Sequence, residues 1–197
     1  MDGILFNRHL SKEEIEMGMP EVLDSPKNEG VVELIVRRPA VNRRDVIETG
    51  LLDVEKGLIG DNWLMRGSSR TQNGLGHPEM QLNIMNYRFA SLVAGSRDRV
   101  PLAGDQLFVD LDLSRENLPP GTRLSAGSAV VEITSIPHRG CKKFVDRFGL
   151  EAMKFADSEF GRSHNLRGVN AKIIAGGEIK TGDKINVIRR RLQDAQL

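Results

Sequence analysis

Three times along this chain a glycine and a small polar residue stand directly before a short apolar run. Gly104-Asp105 precedes residues 106–109, Gly127-Ser128 precedes residues 129–133, and Gly182-Asp183 precedes residues 184–188. Each reads as a tight turn leading into a strand. Strands that follow one another through turns pair with their neighbours in sequence, and a small sheet built this way is best relieved of its edges by closing on itself. The predicted fold class is therefore mainly β: a mixed β-barrel carrying a few short helices.

Other segments fit that frame. Val31-Val32-Glu33-Leu34-Ile35-Val36 is rich in β-branched residues and reads as a strand, and Val46-Ile47-Glu48-Thr49 as another. Gln81-Leu82-Asn83-Ile84-Met85-Asn86 alternates polar with apolar, the period of a half-buried strand. Residues 87–94 suit a helix stopped by Gly95. Residues 142–149 and 151–160 place Phe144, Val145, Phe148, Met153, Phe155, Ala156 and Phe160 at helical spacing, with Gly149 and Gly161 where helices stop. These predict two short helices inserted in the β framework. Residues 66–78 are polar and glycine-bearing and read as a long loop.

One domain spanning 31–190 is expected, after an irregular lead-in of residues 1–30 and before a C-terminal tail of 191–197. In the lead-in, Ser11 offers a cap for a short helix near 11–18, and Gly18, Pro20, Ser25, Pro26 and Gly30 break the chain. The 197 residues suffice for one sizeable core. A net charge of +1 and only 5% aromatic residues argue against a nucleic-acid binder with a stacking platform. Met1-Asp2-Gly3-Ile4-Leu5-Phe6 lacks the form of a signal peptide, and no run is long enough to span a membrane. A single cysteine rules out an intramolecular disulfide, a multi-thiolate zinc site and an iron–sulfur cluster held in the usual way. A reducing, cytoplasmic setting is the expectation.

That cysteine, Cys141, is the candidate chemical centre. It follows Pro137-His138-Arg139-Gly140 and opens a predicted helix, whose free amides and dipole favour negative charge. Arg139, Lys142, Lys143 and Arg147 add positive charge against Asp146 alone. Both effects favour the thiolate, which is the nucleophile and the metal ligand. The competing reading is a buried structural cysteine. His138 is placed to orient or deprotonate Cys141, although an exposed, solvated histidine is the commoner case. Arg162, His164 and Arg167 extend the basic cluster, and if the barrel gathers these groups they form an oxyanion pocket; the bland alternative is a solvated face. Arg115-Glu116-Asn117 lies at a strand end before the rigid Pro119-Pro120-Gly121, a place where polar side chains line a pocket mouth or simply face water.

In order and spacing these pieces resemble the MOSC domain, named for the C-terminal part of molybdenum-cofactor sulfurase, in a stand-alone bacterial-type form. The resemblance runs from Gly57-Leu58-Ile59-Gly60-Asp61 through Arg115-Glu116-Asn117-Leu118, Gly127 and Cys141 with Arg147-Phe148-Gly149. It continues to Gly168-Val169-Asn170-Ala171-Lys172-Ile173, Gly176-Gly177-Glu178-Ile179 and Gly182-Asp183-Lys184-Ile185. It implies a barrel of the pyruvate-kinase-insert type. It also implies that Cys141 matches the family's motif cysteine, a sulfur carrier or a neighbour or ligand of molybdenum in a bound pterin cofactor. Gly140 stands where many members have proline, and the 66–78 loop differs from the histidine- and glycine-rich loop of several members. The implied site is Cys141 as catalytic residue and metal ligand, with Arg115, Asn117, His138, Arg139, Lys142, Arg147 and Arg167 around the cofactor. Two functions stay open: a molybdenum-dependent reductase of N-hydroxylated compounds fed by an external electron donor, and a sulfur carrier served by a sulfur-donor protein. Nothing in the chain itself indicates pyridoxal phosphate. The alternative is a non-catalytic binding or regulatory barrel with a structural cysteine, and a third is a metal-free, cysteine-dependent transferase or hydrolase.

Overall fold

The computed structural model describes residues 8–68 and 71–188; the expected tail of 191–197 lies outside them. Seven strands close into a barrel: β1 (Glu29–Arg37), β5 (Leu82–Asn86), β6 (Leu107–Asp110), β7 (Arg123–Ala126), β8 (Ala129–Pro137), β9 (Val169–Ala175) and β11 (Lys184–Ile188). Around the barrel the order is β11-β7-β8-β9-β5-β6-β1, and β1 pairs back with β11 through Gly30↔Ile185. Only β5 and β6 run parallel; every other pair is antiparallel. β2 (Asp45–Ile47) extends the sheet beyond β1, and β10 (Gly177–Lys180), β3 (Thr49–Asp53) and β4 (Gly57–Leu58) form a separate three-stranded sheet. The three turn glycines that announce strands, Gly104, Gly127 and Gly182, all adopt positive φ, where a side chain would be strained.

The barrel interior is filled by Val32, Ile84, Leu107, Val109, Leu124, Val131, Ala171 and Ile185 among others. A second core lies between the barrel wall and a helical layer made of α1 (Lys12–Leu23), α3 (Tyr87–Ala94), α4 (Lys142–Phe148) and α5 (Leu150–Asp157). Asn86 caps α3 by accepting from the Phe89 amide, and Gly95 ends it in the left-handed conformation. A third short helix, α6 (Glu159–Ser163), follows α5, because Ser158 takes extended backbone and caps a new turn. The stretch read as one helix over 151–160 is therefore two.

Two expectations need correction. β5 is buried along its whole length, not on one face. Leu82 and Ile84 face the barrel interior and Met85 the helical layer, while Asn83 and Asn86 are satisfied by buried hydrogen bonds. The lead-in contributes a full helix. Ser11 and Glu14 form a reciprocal capping box, and α1 runs through Gly18 and Pro20 to Leu23 with Ile15, Met19 and Val22 buried. Tertiary packing overrides the breakers here: a Cβ on Gly18 would lie 2.4 Å from the Leu92 side chain, so the glycine lets α1 approach α3. The long loop lies where it was expected, between two short helical turns, α2 (Trp63–Arg66) before it and a 3₁₀ turn, Pro78–Met80, at its end.

Candidate functional site

The site begins with a break in the sheet. After a first irregularity between Val130 and Val131, β8 pairs with β9 in register from Val131↔Ile173 to Ile133↔Ala171 and regains pairing only at Pro137↔Val169. Such a bulge re-aims side chains. Thr134, Ser135 and Ile136 line a cavity of about 280 Å³, together with Arg115, His138, Arg139, Asn165 and Asn170 among others. A smaller cavity of about 30 Å³ adjoins it, walled by Arg115, His138, Arg139, Arg162, Asn165 and Arg167 with Asp157.

Behind the cavities lies a buried polar layer. Arg38 grips Asp61 through Nε (2.9 Å) and Nη2 (3.0 Å), and its Nη1 donates to Asn83 Oδ1 and the Gly104 carbonyl. Asn83 Nδ2 donates to Asn170 Oδ1, and Asn170 Nδ2 donates to the Ile136 carbonyl inside the bulge. Gln106 joins this layer by accepting from the Asn83 amide and donating to the Gln81 carbonyl. Arg167 is buried, donates from Nη1 to Asp105 Oδ2 at 2.8 Å and from Nη2 to the Ala103 carbonyl, and lies over the Phe144 ring at 4.9 Å. Its Nε is buried without a hydrogen-bond partner.

His138 sits against this layer. Its Nδ1 is 3.3 Å from Asp105 Oδ1, within ion-pair distance but not aligned as a hydrogen bond, so both atoms are buried and unsatisfied. Burial pushes the Asp105 carboxyl above its ordinary range against the pull of Arg167. Burial, reinforced by Arg167, Arg38 and Arg66, holds the imidazole neutral, well below its usual pKa. Arg44 and Arg66 are themselves lowered by burial and by neighbouring arginines. Among the described residues neither meets a carboxylate within ion-pair distance. This centre thus carries more positive charge than Asp61 and Asp105 offset.

The sequence-derived candidates divide accordingly. Arg115, His138, Arg139 and Arg167 come together, joined by Arg162, whereas His164 stacks on Phe160 at the surface. Asn117 does not reach the cavity: its Nδ2 donates to the Lys27 and Asp112 carbonyls and ties down the chain before β1. Arg147 leans away to the Leu102 carbonyl, and Lys142 is exposed on α4; neither lines the two cavities. The expectation that Arg139, Lys142, Arg147 and Arg167 share one cavity with Cys141 in its wall is corrected to this extent. Cys141 is exposed at the N-cap of α4 and makes no capping bond. Three residues from His138, its Cα lies at most about 11 Å from that of the histidine. Sequence reasoning missed Arg38, Arg44, Arg66 and Asp105 as site components. The available signal was polar residues inside apolar strands, Asn83 and Asn170 above all.

Comparison with known proteins places the architecture. No protein-family model matches the chain, and no curated protein does. Solved structures do match. The YuaD protein from Bacillus subtilis aligns with a TM-score of 0.61 at 14% identity, covering 83% of this chain and 97% of that one. YiiM from Escherichia coli aligns at 0.51 and 18% identity, covering 82% and 71%. A hypothetical protein aligns at 0.56 and 18% identity, covering 83% and 69%. At these identities the likeness is one of fold alone.

Proposed function

We propose that this chain is a MOSC-type domain that binds a phosphate-bearing molybdopterin in the bulge cavity and presents Cys141 to the metal or to a sulfane sulfur. The observation that carries the reading is the gathering of Arg115, Arg139, Arg162 and Arg167 around His138, three residues before an exposed lone cysteine.

The residues fit such a group in two respects. Guanidinium groups match phosphate oxygens, and Arg167 Nε is buried with its hydrogen unused. A thiolate is a soft donor suited to molybdenum–sulfur chemistry. Among the described residues no three of His, Cys, Asp and Glu gather as a metal-ligating set. Among the described residues the Cys141 thiol is the ligand this reading uses, and the metal would bring further ligands of its own, as in a pterin cofactor. When bound, that cofactor supplies the redox chemistry.

The protein's part is to bind and orient. Arg139 and Arg115 hold the phosphate, Arg167 is kept rigid by Asp105 and the Ala103 carbonyl, and Gly140 lets the chain pass tightly under Met153. A reductase of N-hydroxylated compounds then needs an external electron donor, and a sulfur carrier needs a sulfur-donor protein. The test is elemental analysis with pterin fluorescence on protein made in a host that synthesises the cofactor. Co-purified molybdenum and pterin support the reading; their absence from correctly folded protein defeats it. No helix among the described residues is long and apolar enough to cross a membrane.

A further inference from the structure

The two cavities meet at a neck lined by Arg115, Pro137, His138, Arg139 and Asn165. Two guanidinium groups there are donors only. The histidine differs. Its Nδ1 is buried beside Asp105 Oδ1, and Asp105 is itself fixed by Arg167. Gly168 makes that approach possible: at φ +101°, an added Cβ would lie 3.2 Å from His138 Nδ1, 3.3 Å from Asp105 Oδ1 and 2.5 Å from the Ile84 carbonyl oxygen. A carboxylate oxygen 3.3 Å from Nδ1 electrostatically favours the tautomer protonated there, although the pair is not aligned as a hydrogen bond. The ring lines both cavities while its Nδ1 edge is buried, so the Nε2 edge, with its lone pair, meets the neck.

An acceptor set among cationic donors selects an anion that brings its own proton. We infer that the neck is a subsite for a singly protonated phosphate group, in preference to sulfate. The P–OH donates to His138 Nε2, while Arg115 and Arg139 donate to the charged oxygens. Sulfate, which has no proton at neutral pH, sets an oxygen lone pair against the lone pair of Nε2. The inference rests on the cavity being the ligand site of the preceding reading, but not on molybdenum and not on Cys141.

The charged groups facing His138 are Asp105 before β6, Arg167 before β9, Arg38 after β1, Arg66 of α2, and Arg115 and Arg139 in the neck. The arginines keep their charge at all working pH values, and they keep the ring neutral. The pH response therefore comes from the ligand, whose second ionisation as a monoester lies near about 6.

The test is calorimetric titration of the full chain with methyl phosphate, a monoester that loses its last proton between the two conditions, and with sulfate, at pH 6 and pH 8 and matched ionic strength. Wild type is expected to bind the phosphate ester about tenfold more tightly than sulfate at pH 6, with a smaller ratio at pH 8. His138→Leu brings phosphate down to the sulfate level and leaves sulfate unchanged, whereas Arg139→Ala weakens both anions alike. If His138→Leu does not fold, the nitrogen-15 shift of His138 Nε2 in wild type serves instead, moving with phosphate and not with sulfate. Equal affinities at pH 6, a preference that grows toward pH 8, or no binding of either anion overturns the inference. Phosphate selectivity without molybdenum in the cofactor experiment would uphold it while sinking the metal reading.

Discussion

Replacing Asp61 by alanine strikes a buried charge with many hydrogen bonds. Its two oxygens accept five hydrogen bonds: Arg38 Nε at 2.9 Å, Arg38 Nη2 at 3.0 Å, the Arg38 amide at 2.8 Å, the Trp63 amide at 2.9 Å and, more weakly, Gln106 Nε2 at 3.5 Å. The Asp61 side chain is fully buried and that of Arg38 is 5% exposed. The substitution leaves the guanidinium with only Asn83 Oδ1 and the Gly104 carbonyl, both neutral acceptors. Removing one partner of a buried ion pair costs about 3–5 kcal/mol, because the other charge stays behind uncompensated. For a chain of this size that corresponds to a fall in Tm on the order of 10 °C. Urea unfolding followed by circular dichroism measures it, with the slope required to stay unchanged so that the midpoint reports stability. The double variant Arg38→Met, Asp61→Leu should lose much less than the sum of the two single changes, since no charge is then stranded. An Asp61→Ala loss below about 1 kcal/mol would refute the reasoning and show that water reaches the pair.

Phe148→Ala, which empties a fully buried site beside Phe144, should cost about 3–5 kcal/mol in the same urea assay. Cys141→Ser should change stability by no more than about 0.5 kcal/mol, because the side chain is exposed and serine is a good N-cap; a larger loss would make the cysteine structural. His138 is held below its unfolded pKa, so the unfolded chain takes up its proton first as pH falls. The stability it contributes is present above about pH 6.5 and is lost on acidification below it. The urea midpoint of wild type should therefore fall more between pH 7 and pH 5 than that of a folded His138→Asn variant, and equal falls would contradict the neutral, buried imidazole.

Much of the barrel was legible because its cues are local. The glycine-led turns, the strand over 31–36 and the helix over 87–94 with its Gly95 stop each follow from residues within a few positions of one another. What was not legible depends on closure. Gln81 to Asn86 alternates like a half-buried strand, yet the helical layer covers its outer face, and Asn83 finds Asn170 from a distant strand. Gly18 looks like a breaker until α3 is packed against it. The candidate site was half visible for the same reason. Arg115, His138, Arg139 and Arg167 stood out as charge near the cysteine, but Asp105 looked like a turn residue. It pairs with Arg167 and abuts His138 only because the strands following Asp105 and Arg167, β6 and β9, both flank β5. Asn117 went the other way: its amide is consumed by backbone carbonyls that no local pattern reveals.

The central claim is that Cys141 and the arginine-lined cavity form one site. Alkylation of Cys141 by iodoacetamide, followed by intact mass in cofactor-loaded and cofactor-stripped protein, tests it most directly. The account predicts fast labelling of the stripped protein, protection in the loaded protein, and fast labelling in both preparations of Arg139→Ala, which cannot retain the cofactor. Equal labelling rates with and without bound cofactor in wild type would place the cysteine outside the site and contradict the account.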